Sequence, residues 1–162
     1  MMANISDMPV PETGAESGMP FREKSAWVAI AGMVVAYGAY FIAVAALPRA
    51  GSEIDDTLRI IALFGVATVI RLLILGIGTL VIRAGSPADA RLASDERDRS
   101  IAGRSAALAY YVLMAGMIVV GIMMPFSAHG VAITNAALFW LVAAEVVRYG
   151  TTISAYRRGW HG

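Results

Sequence analysis

Four long apolar runs constrain this chain more than any other feature. Crossing ~30 Å of hydrocarbon takes about 20 helical residues at ~1.5 Å each. Ala26 to Leu47 carries no charge and places Trp27 where an interfacial aromatic belongs. Pro48 and Gly51 end this run, and Ser52 with Asp55 reads as a capping box that starts the next helix. Ile60 to Ile82 is the second span, bracketed by Arg59 and Arg83 and interrupted only by Arg71. Ser105 to Met124 is again free of charge. It closes at Pro125 and Gly130 in a turn so short that the fourth span, 131–152, must return antiparallel. Glu145 and Arg148 arrive before that last run is complete, while Tyr149, Tyr156, Arg157, Arg158 and Trp160 form an interfacial belt. The exit is expected between Tyr149 and Tyr156. These spacings predict an all-α membrane protein with four transmembrane helices in an antiparallel bundle.

The flanks set the expected orientation. Residues 1–24 mix Pro9, Pro11, Gly14, Gly18 and Pro20 with acidic and small residues, too little apolar surface to offset the entropy of ordering, and read as a disordered tail. Its acidic start through Asp7, Glu12 and Glu16 is unlike a secretory signal, so the first span is expected to be retained. Arg83, Arg91, Arg97, Arg99 and Arg104 crowd the loop 83–104, and Arg22, Lys24, Arg157 and Arg158 flank the termini, whereas the other two loops hold only Arg49 and Arg59. The excess predicts that both termini, including the tail 159–162, and the middle loop are cytoplasmic. Lys24 is the only lysine, and this bias, with abundant alanine and glycine, suggests a GC-rich bacterium and its inner membrane.

Within that loop, Ser86-Pro87-Ala88-Asp89 predicts a short helix to about Ala93, and Ser94 caps the next. Asp95, Glu96 and Asp98 fall in that helix's positive first turn, and Asp95 pairs by spacing with Arg99, so the helix should run unbroken into span three. Spans one and three share Ala31-Gly32-Met33-Val34-Val35 against Ala115-Gly116-Met117-Ile118-Val119. Spans two and four share Ala62-Leu63-Phe64 against Ala137-Leu138-Phe139. Two tandem hairpins of one orientation are the architecture these fragments suggest.

Arg71 is the residue that most needs explaining, because a charge near the bilayer centre costs ~2.5 to 3.5 kcal/mol on insertion scales. Counted from the outer surface, Arg71 lies ~16 Å deep in span two and Glu145 ~21 Å deep in span four, an offset an arginine side chain bridges. An ion pair of Arg71 with Glu145 is the preferred arrangement. The bland alternative gives Glu145 to Arg148 one turn below and lets Arg71 snorkel, or makes the pair a simple fixer of helix rotation. A polar pathway would add Thr134, Glu145, Arg148, Tyr149, Thr152 and Tyr156, which recur at helical spacing on span four. Such tyrosines and threonines also make ordinary interhelical hydrogen bonds.

Other constellations are weaker. Tyr110, Met114, Met117, Gly121 and Met124 share one face of span three and read as packed core rather than a copper site. His129 and His161 fall on opposite sides of the membrane and cannot share a haem or metal. Cysteine is absent, and no Gly-rich phosphate loop, Ser/His/Asp set or paired acids in a dry pocket is found, so no catalytic, cofactor-binding or metal residue is assigned and no cofactor is expected.

The segment Asp95-Glu96-Arg97-Asp98-Arg99-Ser100-Ile101, followed by Tyr110-Tyr111-Val112-Leu113-Met114-Ala115-Gly116-Met117, resembles the acidic-basic motif before a membrane helix in small predicted membrane proteins of bacteria and archaea whose function is unknown. The resemblance covers about a quarter of the chain and implies a four-helix membrane fold with no activity. Read as chemistry, Arg91, Arg97, Arg99 and Arg104 are candidate contacts for anionic lipid or a partner protein, or a solvated collar. A non-catalytic accessory, scaffold or regulatory component follows. The alternative is a small oligomeric transporter or channel with Arg71 and Glu145 lining a polar path. The expected partners are the bilayer and a membrane or cytoplasmic protein, not nucleic acid, with a homo-oligomer left open.

Overall fold

A computed structural model describes residues 21–48, 51–85 and 96–158. Helix α1 spans Phe21–Ala46, α2 Glu53–Gly85, α3 Glu96–Ile118 and α4 Gly130–Arg157, and all four are long and apolar enough to cross a membrane. The expectations for the tail 1–20, the helix 86–93, the Asp95 pair, Arg91 and residues 159–162 lie outside the described residues. Packed antiparallel, the helices form a membrane bundle. We call the end with both inter-helix turns the turn end, and the other the terminal end.

The helices outrun their apolar cores. Helix α1 begins at Phe21, so residues 21–24, placed in the tail by composition, form its first turn. The reason is tertiary. Arg157 Nε donates to Glu23 Oε1 at 3.3 Å, leaving that acid 6 % exposed, and Arg22 Nε sits 3.0 Å from Asp98 Oδ2 on α3. Helix α2 starts at Glu53, with Glu53, Asp55 and Asp56 in the first turn where the helix dipole favours acids. Its 33 residues reach ~50 Å, well beyond the hydrocarbon. The α1–α2 turn passes Gly51 at φ +92°, a left-handed conformation suited to glycine, and Arg59 Nη1 donates to the Pro48 carbonyl at 3.2 Å.

Helix α3 runs from the charged segment straight into its span, as the first-turn acids predict. At its far end the ladder widens into a π turn, Val119–Met123, and then a 3-10 turn, Met124–Phe126. Pro125 explains this, since it offers no N–H and its ring opposes the carbonyl four residues back. Helix α4 then starts with an unusual cap: Glu53 Oε1, from the first turn of α2, accepts the Gly130 N–H at 2.6 Å.

Helix α1 is the central element. It buries Ala26, Ala29, Met33, Ala36, Tyr37 and Tyr40 at helical spacing, packed between α2 and α4. Each hairpin in chain order, α1 with α2 and α3 with α4, is closely packed, and α4 joins the two by lying on α1 and α2. Helix α3 rests mainly on α4. A Cβ on Gly116 would fall 2.4 Å from Trp140 Cγ, so a missing side chain sets that approach.

One sequence expectation is corrected here. The Tyr110, Met114 and Met117 face of α3 is not core: these residues are 57 %, 43 % and 53 % exposed, and α3 instead turns Ile101, Ser105 and Gly116 inward, followed by Val120 of the π turn. The shared fragments meet their partner helices at different heights. In the first hairpin Gly32 faces Ile74, and the fragment match would then set Gly116 against Tyr149; it meets Trp140, over two helical turns nearer the turn end. The tandem hairpins are present, but their registers differ.

Candidate functional site

Three helices meet at Arg71. Its Nη2 donates to Glu145 Oε2 at 3.0 Å, and the two side chains are 14 % and 33 % exposed. Glu145 Oε1 also lies 3.8 Å from Arg148 Nη1, so the acid faces both arginines that sequence spacing offered it. The Arg71 guanidinium carbon stands 5.9 Å from the ring centre of Tyr37 on α1, within range of a cation-π contact. Tyr37 is fixed in turn by stacking on Phe64 at 5.1 Å and by a hydroxyl contact with Thr68 at 3.3 Å. One nitrogen stays unsatisfied: Arg71 Nε is buried without a hydrogen-bond partner.

The expected stripe on α4 divides between neighbours. Glu145 faces α2, whereas Thr152 donates to Ser105 Oγ at 3.1 Å and Tyr156 donates to Asp98 Oδ1 at 2.5 Å, both on α3. Tyr149 packs beside the core cluster, and Arg148 is half exposed. The sequence reading missed the polar contact nearer the turn end, where the Tyr40 hydroxyl donates to Asn135 Oδ1 at 3.0 Å. A tyrosine and an asparagine inside charge-free runs were the available signal. It also missed Glu23 with Arg157 and Glu53 with Gly130, whose members sit outside the apolar windows.

Beyond Asn135 a cavity of about 990 Å³ opens at the turn end, bordered by Glu53, Asp56, Arg59 and His129 over an apolar wall that includes Leu63. Among the described residues no group of acids, histidines or cysteines has metal-binding geometry. Of the other candidate contacts, Arg97, Arg99 and Arg104 are exposed along the first turns of α3. They do not converge with Arg71. Chemically the Arg71 site is an ion pair against an aromatic wall, with one guanidinium nitrogen left unpaired.

No curated protein and no solved structure matches the chain. A family model does, over residues 23–160, so the chain belongs to the DUF2178 family of predicted membrane proteins.

Proposed function

We propose that this multi-pass membrane protein is a non-catalytic accessory, scaffold or regulatory component of a bacterial inner membrane, with both termini cytoplasmic. The observation that carries the reading is the closure of the Arg71 site. Its cation is met by an acid of α4 and an aromatic face of α1, so the charges are engaged in fixing three helices against one another. A scaffold needs that rigidity, and it needs outward apolar faces for lipid or partner helices. Ile70, Leu73, Ile77 and Leu80 on α2 supply such a face.

A transporter or channel is the second reading, favoured by the large cavity at the turn end and the Tyr40 to Asn135 contact at its inner limit. Reconstitution separates the two. In proteoliposomes with a trapped pH-sensitive dye, the full chain is expected to dissipate imposed proton, sodium or potassium gradients no faster than protein-free vesicles, and Arg71→Ala is expected to lower the unfolding midpoint. Gradient loss in the parent protein that disappears in a folded Arg71→Ala variant overturns the scaffold reading.

A further inference from the structure

The terminal end holds a second concavity, chemically unlike the first. Between α3 and α4 lies a groove of about 280 Å³ whose rim carries Arg104 from one helix and Arg158 from the other. Ser100 and Ser154 stand beside them, and Ile101 and Leu108 supply apolar wall. Among the described residues, no carboxylate borders it. The nearest acid on this face of α3 in sequence, Asp98, is already held by Arg22 and Tyr156.

The level of the groove matters as much as its charge. Arg104 is the last charged residue before the apolar run of α3, and Arg158 follows the last turn of α4, so both cations stand where hydrocarbon gives way to headgroups. Leu108 is 43 % exposed one turn deeper, and helical spacing continues its row through Val112 and Ala115. A ligand that fits must therefore be anionic at one end and apolar at the other. A free phosphate leaves the apolar wall uncovered, and a zwitterionic headgroup sets its own cation against two guanidiniums. Basic grooves between membrane helices at this depth suit phosphate-bearing lipid heads.

We propose that this groove binds one anionic phospholipid, its phosphate between Arg104 and Arg158, with Ser154 as a hydroxyl donor and an acyl chain along Leu108. The site rests on the membrane-spanning fold alone. It stands whether the chain is a scaffold or a transporter, and whichever way it faces.

Native mass spectrometry of the full chain, released from nanodiscs containing phosphatidylglycerol and phosphatidylcholine in equal parts, tests this. The expected result is one retained phosphatidylglycerol, with phosphatidylcholine lost. Arg104→Gln with Arg158→Gln should weaken retention roughly 25-fold, about fivefold for each cation near the surface. Arg97→Gln with Arg99→Gln, exposed on the same helix away from the groove, should leave it nearly unchanged. Ser154→Leu fills the groove without altering charge and should abolish retention, which keeps the test valid if the double arginine variant fails to fold. Equal retention of both lipids, equal loss in the two arginine pairs, retention undiminished by Ser154→Leu, or displacement by millimolar inorganic phosphate overturns the proposal.

Discussion

An arginine in the middle of an apolar span is tolerated only if its surroundings replace water. Arg71 has two such replacements, the Glu145 carboxylate at 3.0 Å and the face of Tyr37. Its Nε has none, and a buried donor left unpaired costs ~1 to 3 kcal/mol. The pair therefore specifies which faces of α2 and α4 meet more than it adds net stability, since hydrophobic replacement of such pairs is often neutral. Arg71→Met alone strands Glu145 and Glu145→Gln alone strands Arg71. Each is expected to destabilise by about 2 to 3 kcal/mol, below the ~3 to 5 kcal/mol of fully buried pairs because Glu145 is one-third exposed. The double variant should recover at least 1 kcal/mol relative to the sum, a coupling of roughly the size expected for residues in contact. A double-mutant cycle by unfolding in detergent measures it, and strict additivity would mean that Glu145 is held by Arg148 alone.

At the scale of helices, the spans were legible because a bilayer demands long charge-free runs, a signal that needs no tertiary information. The ends of the helices were not. Phe21 and Arg157 are helical because Glu23 and Arg157 pair across the bundle, a contact between opposite ends of the chain that no local window contains. Facing was hidden for another reason: lipid and core are equally apolar, so the pattern along α3 does not reveal whether Met117 or its neighbour Gly116 points inward. Glycine decides it, because only a residue without Cβ fits against Trp140. Arg71 and Glu145 stood out in the sequence as charges in apolar surroundings, while Tyr40 and Asn135 passed as ordinary membrane residues. Gly116→Val is accordingly expected to lift α3 from α4, at ~1 to 3 kcal/mol of overpacking. Since α3 rests mainly on α4, the loss should be local. Amide exchange in α3 should accelerate about tenfold or more while α1 stays protected, and uniform acceleration across all four helices would show instead that α3 is integral to the core.

On the scale of the whole molecule, the two ends of the bundle are held by different chemistry. Ion pairs and tyrosine contacts tie α1, α3 and α4 at the terminal end through Arg22, Asp98, Tyr156, Glu23 and Arg157. The turn end is held by Glu53 capping Gly130 and by Arg59 on the Pro48 carbonyl. Arginine is concentrated at the terminal end, and insertion that retains basic residues on the cytoplasmic side predicts that this end faces inward. The chain contains no cysteine, so single introduced thiols report without background. A cysteine at Ser127, exposed in the α3–α4 turn, should react in intact cells with an impermeant maleimide, whereas one at Ser94 should react only after the membrane is opened. Weakening the bias should blur the outcome: removing Arg83, Arg91, Arg97, Arg99 and Arg104 together leaves the middle loop poorer in arginine than the turn holding Arg49 and Arg59, while the termini keep their basic residues. A mixed labelling pattern is then expected at Ser94. Labelling at Ser94 but not Ser127 in the parent protein would place the termini outside and refute the orientation.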